Sequence, residues 1–207
     1  MKKNVHHDLI LLFLFLICIA CSNSSKALSP LSDDGVILAF GDSITYGTGA
    51  DGGQSYPEVL ETLIKRRVTR SGVPGETTAR GRERLPGVLD STDPDLVILC
   101  HGGNDLLQKM DAQHTAANLT SMITMIKNHG ADVVLIGVPR PGLILSSASL
   151  YEKIAEEMKI PLEDKSLAKI LSRGNLKSDY IHPNSQGYVI LAEAIAKLLQ
   201  KQGALVP

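Results

Sequence analysis

Three side chains from opposite ends of the sequence are of the types needed to hydrolyse an acyl bond: Ser43 near one end, and Asp179 and His182 near the other. Serine is a weak nucleophile and needs a neighbouring base to take its proton. His182 is the candidate base, and Asp179, three residues earlier, is placed to hold the imidazole in the proton-accepting tautomer. The sequence therefore predicts a catalytic triad with Ser43 as the nucleophile.

Attack on an acyl carbonyl also places negative charge on its oxygen, and that charge must meet hydrogen-bond donors already in position. Asn104 offers a side-chain amide, while Ser43 and Gly75 are the best candidates for backbone N–H donors. We therefore predict an oxyanion hole formed by Ser43, Gly75 and Asn104. Loss of one such donor typically costs about 3 to 4 kcal/mol of transition-state stabilisation.

Short apolar runs predict the strands that position these residues. The runs are continuous and bounded by Gly, Pro or Asp, which is typical of strands buried on both faces: Val36 to Phe40, Leu96 to Cys100 and Val133 to Val138. Val68 and Thr69 indicate one more, shorter strand. Helical patterns lie between the strands, so we expect an α/β fold with a parallel sheet and helices on both faces.

The helical patterns differ in how clearly they end. Their predicted spans are Pro57 to about Arg67, Thr78 to Leu85, a stretch containing Leu119 to Ile126, Ser147 to Met158, and Asn184 to about Gln202. Pro86 and Gly87 are expected to stop the second helix, and Gly130 is expected to cap the third in a left-handed conformation.

The candidate site residues fall in loops next to these elements. The loops are Gly41 to Ser43, Gly72 to Thr77, His101 to Asp105, and Asp179 to His182. Ligands of parallel sheets bind beyond the carboxyl ends of the strands. We therefore expect the four loops to converge at that edge of the sheet.

The residues in these loops resemble the four sequence blocks of the SGNH (GDSL-type) hydrolases. The matching residues, in order, are Gly41-Asp42-Ser43, the glycine of Gly75-Glu76-Thr77-Thr78, Gly103-Asn104-Asp105 and Asp179-x-x-His182. The resemblance covers about Val36 to Leu199 and looks closest to bacterial periplasmic thioesterases, lysophospholipases and arylesterases.

This resemblance implies a flavodoxin-like three-layer α/β/α fold. It also implies that Ser43 is the nucleophile, that Gly75 and Asn104 belong to the oxyanion hole, and that Asp179 and His182 complete the triad. In such enzymes the segment corresponding to Pro139 to Ser149 often contacts the acyl chain. Here Leu143, Ile144 and Leu145 either line that site or pack a helix.

The predicted function is that of a serine esterase that cleaves small acyl esters or thioesters through an acyl-enzyme, of the arylesterase, lysophospholipase or acyl thioesterase type. The chain has no Trp and 4% aromatic residues, so platforms for stacking sugar rings are scarce. A carbohydrate O-acetylesterase of the same family is therefore the second interpretation. The predicted chemistry requires no metal and no organic cofactor.

Two further interpretations belong to other classes of protein. Gly47-Thr48-Gly49-Ala50-Asp51-Gly52 matches the G-x-G-x-x-G pattern of dinucleotide-binding proteins, but the Gly41-Asp42-Ser43 turn separates it from the strand. The second of these interpretations is an envelope lipoprotein that only binds lipid. Both leave the pairing of Asp179 with His182 unexplained.

Composition and charge indicate one ordinary globular domain, which we expect to be a monomer. The 207 residues are 43% hydrophobic and carry a net charge of −1, so the excess of basic residues typical of nucleic-acid binding proteins is missing. Arg66-Arg67 and the Arg80 to Arg84 segment are interpreted as solvated surface. Cys100 is expected to be a buried, inert thiol.

The N-terminus is typical of an exported bacterial protein. Lys2 and Lys3 precede the apolar stretch Leu9 to Ala20, which is shorter than the about 20 residues needed to span a bilayer. The stretch ends in Cys18-Ile19-Ala20-Cys21, which resembles the processing site of bacterial lipoproteins, where the cysteine receives lipid. We predict a signal peptide at residues 1–20, lipid attachment at Cys21, a flexible tether at residues 21–34 and the hydrolase domain at residues 35–207. The protein would be anchored in the cell envelope facing the periplasm. Ordinary cleavage after Ala20 would instead release a soluble periplasmic or secreted enzyme.

Overall fold

A computed structural model describes residues 28–140 and 147–205. At its centre is a five-stranded parallel sheet with the strand order β2-β1-β3-β4-β5. The strands are β1 (Val36–Gly41), β2 (Arg67–Gly72), β3 (Leu96–Cys100), β4 (Asp132–Ile136) and β5 (Leu162–Glu163). The predicted strands are confirmed, and β5 was missed because two residues are too few to show a period.

Helices cover both faces of this sheet. They are α1 (Ser43–Tyr46), α2 (Tyr56–Ile64), α3 (Thr78–Thr92), α4 (Gly103–Leu107), α5 (Ala112–His129), α6 (Ser149–Met158), α7 (Ser166–Leu171) and α8 (Ser185–Lys201), with a 3₁₀ turn at Gly174–Leu176. Helix α8 packs against α2 and α7, while α5 packs against α3 and α6. The predicted three-layer α/β/α fold is confirmed.

The largest error in the predicted helices concerns α3, which was expected to stop at Pro86 and instead continues to Thr92. Leu85 and Leu89 lie one turn apart and are both buried, and α3 packs against α5 and β1. The proline removes one backbone hydrogen bond, to the carbonyl of Arg82. Arg82 and Pro86 are exposed, so water can satisfy that carbonyl and packing outweighs the local preference.

The other helix ends follow local chemistry closely. Helix α2 ends at Ile64, about three residues before the predicted end, and is capped by Lys65 in a left-handed conformation. Helix α5 is capped as expected by a left-handed Gly130. Helix α8 begins after Asn184, whose side chain accepts the N–H of Gly187. The short helices α1, α4 and α7 were not predicted because helices of four to six residues carry no reliable periodic signal.

The core is built from strands that are apolar on both faces. All five residues of β3 are buried, and Ile37 to Phe40 of β1 are fully inaccessible. Cys100 is buried as predicted, and burial, with the nearby Asp42 carboxylate, raises the pKa of its thiol. At the end of β1, strands β1 and β3 approach so closely that a Cβ on Gly41 would lie 1.9 Å from the carbonyl oxygen of Cys100.

The strand order determines where a site can form. The connection from β1 leads to β2 on one side, while the connection from β3 leads to β4 on the other side. Loops that leave the carboxyl ends of β1 and β3 therefore diverge, and a crevice opens between them. Ser43 follows β1 and Asn104 follows β3, so both lie at this crevice.

Residues 28–34 differ from the predicted flexible tether because they pack onto the domain. Leu28 is 6% exposed and its N–H donates to the carbonyl of Gln202, while the Leu31 N–H donates to the carbonyl of Ala204. The Ser29 N–H donates to Asp132 at the start of β4. The buried Leu28 side chain ties this segment to the edge of the sheet opposite the crevice.

The predicted signal peptide, Cys21 and the rest of the tether lie outside the described residues, as do Leu143, Ile144 and Leu145. Within the described ranges, no helix combines the length and apolar character needed to cross a membrane.

Candidate active site

Ser43 is the first residue of α1, immediately after the sharp turn that ends β1. Asp42 caps this helix because its Oδ1 accepts the N–H of Ile44 at 3.1 Å. The N–H of a residue at this first position has no acceptor within the helix. The turn therefore presents both the hydroxyl and the backbone N–H of Ser43 at the carboxyl edge of the sheet.

Asp179 and His182 lie in a compact loop before α8. The Ser178 N–H donates to the carbonyl of His182 at 3.0 Å, and Lys177 pairs with Pro183 across the loop. Asp179 Oδ1 accepts the N–H groups of Ile181 and His182, each at 2.8 Å. These contacts fold the short segment back on itself and direct both side chains toward Ser43.

The three side chains form a continuous chain of hydrogen bonds. Ser43 Oγ lies 2.9 Å from His182 Nε2, and His182 Nδ1 lies 2.7 Å from Asp179 Oδ2. The structure thus brings together residues that are 139 positions apart in the sequence.

The positions of the protons on these three side chains follow from which groups can only accept hydrogen bonds. An ionised carboxylate only accepts, so the Nδ1–H of His182 donates to Asp179 and leaves Nε2 free to accept the Ser43 hydroxyl proton. Burial alone would raise the pKa of Asp179, but hydrogen bonds from the His182 ring and from two backbone N–H groups lower it below its ordinary value. Asp179 therefore stays ionised and holds His182 in the tautomer whose Nε2 is an acceptor.

The predicted oxyanion-hole residues are brought together only in part. Asn104 lies in α4 and lines the same cavity as Ser43. Its Nδ2 donates to the carbonyl of Glu76 at 3.0 Å, which leaves one of its two amide hydrogens available. Gly75 precedes Glu76 in a left-handed conformation with φ of 79°, and it is exposed, outside the cavity wall.

A cavity of about 300 Å³ opens beside Ser43. Its wall is largely apolar and includes Ile44, Leu107, Val138, Leu167, Leu171 and Ile181. Lys177 and Tyr180 also contribute, and Tyr180 is 92% exposed. An apolar group of a few carbons can therefore lie against the wall while a reacting carbonyl stands next to the serine.

Asp42 is a further ionisable group at this site, and it is only 2% exposed. Burial raises the pKa of its carboxyl, and this effect exceeds the opposing influence of His101 and of the N–H groups of Ile44 and Gly103. The carboxyl joins the turn after β1 to the turn after β3, which keeps the two loops in register.

Sequence reasoning missed a cluster beneath the loops that carry Gly75 and Asn104. Arg84, interpreted from sequence as solvated surface, instead donates from Nε and Nη2 to the two carboxylate oxygens of Glu76 at 2.8 and 2.7 Å. His101 is fully buried and its Nε2 lies 3.2 Å from the same carboxylate. The available signal was Gly81, a glycine inside a helical pattern, because such a residue commonly marks close packing.

Comparison with known proteins agrees with this geometry. The sequence model of the GDSL-like Lipase/Acylhydrolase family matches residues 39–190, more than half of the chain. The chain belongs to this family. The resemblance inferred from the four loops is therefore confirmed.

Individual relatives of this GDSL-family chain are esterases and thioesterases. It is 30% identical to an arylesterase of Vibrio mimicus over 93% of this chain and 98% of that protein. It is 28% identical to thioesterase 1/protease 1/lysophospholipase L1 of Escherichia coli K12, over 79% of this chain and 83% of that protein. The crystal structure of TesA superposes with a TM-score of 0.73 at 27% identity, covering 81% of this chain and 99% of the other.

These findings identify the GDSL-family chain as a carboxylic ester hydrolase that acts on small ester substrates. The dinucleotide interpretation fails on local structure, since Gly47 ends α1 as a left-handed cap and the glycines after it form a loop instead of opening a helix. In the part of the chain that the structure describes, no group of three or more His, Cys, Asp or Glu side chains is placed to hold a metal ion.

Proposed function

We propose that this enzyme is a serine esterase of the arylesterase, lysophospholipase or thioesterase type that works through a covalent acyl-enzyme. The observation that carries the proposal is the chain of hydrogen bonds from Ser43 through His182 to Asp179 at the mouth of an apolar cavity. Each group has the neighbour that its role requires.

The first half of the reaction is acylation. His182 Nε2 takes the hydroxyl proton as Ser43 Oγ bonds to the carbonyl carbon, and the imidazolium is stabilised by Asp179. The tetrahedral intermediate collapses when the bond to the leaving oxygen or sulfur breaks, and His182 returns the proton to that atom. The acyl group is then an ester of Ser43.

Deacylation repeats these steps with water. His182 takes a proton from water, the resulting oxygen bonds to the acyl carbon, and the bond to Ser43 Oγ breaks as the serine recovers its proton. In both steps the carbonyl oxygen carries negative charge, and the donors proposed to stabilise it are the N–H of Ser43 and the second amide hydrogen of Asn104. Gly75 is proposed as a third donor, because it directly precedes Glu76, whose carbonyl binds the Asn104 amide.

The cavity wall supports esters or thioesters with an apolar acyl group as the substrate class. The side chains of Leu107, Leu167 and Ile181 offer dispersion contacts to methylene groups, and burial of each methylene contributes about 0.8 kcal/mol. A carbohydrate acetyl ester would place only a methyl group against these side chains and would leave most of the apolar wall unfilled. The O-acetylesterase interpretation is therefore the less favoured one.

We also propose that the protein is exported and carries lipid on Cys21. Leu28 lies at the sheet edge opposite the crevice, so a tether that leaves from there would direct the site away from the anchoring membrane. This geometry favours soluble esters and thioesters of the envelope as substrates. Metabolic labelling with a palmitate analogue tests the lipidation, and a Cys21→Ala variant that is labelled as strongly as wild type contradicts it.

The catalytic proposal is tested with p-nitrophenyl esters of increasing acyl length. Ser43→Ala is expected to lower kcat by about 10⁴-fold or more, because the covalent route is lost while cavity and fold remain. Wild-type enzyme is expected to prefer a butyrate or longer ester over the acetate. Acetylated xylan serves as the competing substrate, and a preference for it would support the O-acetylesterase instead.

A matched control is Ser91→Ala, which removes an exposed hydroxyl from α3, far from the crevice. This variant is expected to keep wild-type kcat. Full activity of folded Ser43→Ala, judged by circular dichroism, would contradict the assignment of the nucleophile.

A further inference from the structure

The Glu76 carboxylate is the centre of a buried charged cluster behind the cavity. Its side chain is 7% exposed and receives two hydrogen bonds from the Arg84 guanidinium. Arg84 is itself held by a 2.6 Å hydrogen bond to Ser71 Oγ and by stacking over the Phe40 ring at 4.1 Å. Burial alone would raise the pKa of Glu76, but Arg84 and His101 together lower it to about 2.

His101 joins this cluster to the loop that carries Asn104. The Gly102 N–H donates to His101 Nδ1 at 3.0 Å, so Nδ1 carries no proton and the Nε2–H donates to Glu76. The Tyr151 hydroxyl donates to the His101 carbonyl at 2.8 Å. A Cβ on Gly81 would lie 2.3 Å from His101 Nε2, so α3 has a glycine where the imidazole packs.

Glu76 also contacts Asn104 directly through its main chain. The Glu76 carbonyl accepts one amide hydrogen of Asn104, which determines which end of the carboxamide is the nitrogen. The second amide hydrogen is not used by Glu76, and Asn104 lines the same cavity as Ser43. A rotation of the Glu76 peptide would release this restraint and let the carboxamide turn.

The contacts therefore form a closed ring. It runs from the His101 ring to the Glu76 carboxylate, from the Glu76 carbonyl to the Asn104 amide, and along the backbone through Gly102 back to His101. A second set of hydrogen bonds joins α4 to the start of α3, because the Asp105 carboxylate accepts the N–H and the hydroxyl of Thr78.

We propose that His101 and Glu76 are positioning residues that hold the Asn104 amide aimed at the oxyanion, with Arg84 anchoring Glu76. This inference rests on the proposed function, in which Asn104 stabilises the carbonyl oxygen. Replacing one partner of a buried charged cluster leaves the others uncompensated, so the loops would shift. A donor helps only when it is in place before charge develops, so the shift lowers kcat with little effect on KM.

A double-mutant cycle between His101 and Asn104 tests this role, with kcat for p-nitrophenyl butyrate as the readout. His101→Leu is expected to lower kcat about tenfold at nearly constant KM, as a misaimed donor retains part of its effect. In an Asn104→Ala background the same change is expected to lower kcat less than about threefold, because the group being positioned is gone.

Two milder variants separate the contacts of the imidazole. His101→Gln retains an N–H that can reach Glu76, and His101→Asn retains an acceptor for the Gly102 N–H. We expect His101→Gln to keep more kcat than His101→Asn, since Glu76 is the link to Asn104. These variants also carry the test if His101→Leu does not fold. His114→Gln, on the exposed side of α5, is the control and is expected to match wild type.

The outcomes separate this inference from the proposed function. If Asn104→Ala lowers kcat and the effects of the two sites multiply fully, the positioning role is wrong and the oxyanion assignment stands. If Asn104→Ala leaves kcat unchanged, the oxyanion assignment and the positioning role are both wrong. A His101→Leu variant that loses thermal stability but keeps full kcat also overturns the positioning role.

Discussion

The role of Asp179 is open to a demanding test, because the nearly isosteric Asp179→Asn change should reverse the tautomer of His182. Asp179 Oδ1 accepts two backbone N–H groups, each at 2.8 Å, so the amide oxygen of an asparagine belongs at that position. Its NH₂ group then faces His182 Nδ1, which must become an acceptor. The imidazole proton moves to Nε2, where it blocks transfer from Ser43.

The magnitude follows from the cost of the alternative arrangement. Turning the amide around would leave the N–H groups of Ile181 and His182 facing a donor, at about 1 to 3 kcal/mol each for buried groups. The Asp179 side chain is 49% exposed, so water reduces the cost to about 1 to 2 kcal/mol each. A total of about 2 to 4 kcal/mol corresponds to a loss of about 30- to 1,000-fold in kcat.

The assay is kcat for p-nitrophenyl butyrate at neutral pH, compared for Asp179→Asn, Asp179→Ala and the surface control Asp90→Asn. Asparagine imposes the wrong tautomer, whereas alanine leaves the ring free to adopt either one. Asp179→Asn is therefore expected to be at least as impaired as Asp179→Ala, and Asp90→Asn unchanged. A loss of less than about fivefold in Asp179→Asn would refute the reasoning, since the arrangement requires at least about 2 kcal/mol.

Two further predictions concern stability. Folding lowers the pKa of Glu76 from 4.5 to about 2. Its contribution to the free energy of unfolding is therefore complete above pH 4.5 and is lost as pH falls toward 2. The shift corresponds to about 3 kcal/mol of folding free energy, which solvent screening at the partly exposed Arg84 reduces to about 2 kcal/mol. In urea unfolding, the free energy of unfolding of Glu76→Gln should therefore fall less between pH 4.5 and pH 2 than that of wild type. Gly41→Ala is expected to cost about 3 kcal/mol because its Cβ would lie 1.9 Å from the Cys100 carbonyl, whereas Gly87→Ala, with no atom within 4 Å, is expected to be neutral or stabilising. Equal melting temperatures for the two glycine variants would contradict the close approach of β1 and β3.

The strands were predictable because burial on both faces leaves a local pattern. Val36 to Phe40 and Leu96 to Cys100 are uninterrupted apolar runs, and each became a central strand. The end of α3 was not predictable in the same way, because Pro86 is a strong local stop signal. The burial of Leu89 beyond it depends on how α3 packs against α5 and β1.

The active site also contains residues that the sequence predicts and residues whose role depends on packing. Ser43, Asp179 and His182 could be selected from their types and their places next to predicted elements, and the structure joins them by hydrogen bonds. Arg84 could not be assigned correctly, because one arginine among several charged residues looks like surface. Its contact with Glu76 depends on how α3 faces the sheet.

By itself, the sequence determined the order of the four longer strands and the five longer helices and the family of the protein, together with the side chains proposed to carry the chemistry. Those properties follow from local burial patterns and from residue types that only a few reactions need. The tertiary structure alone decided that residues 28–34 belong to the domain, that Gly75 stands outside the cavity wall, and that His101, Glu76 and Arg84 lie behind Asn104. These depend on distances between residues far apart along the chain, and such distances are determined only when the helices pack onto the sheet.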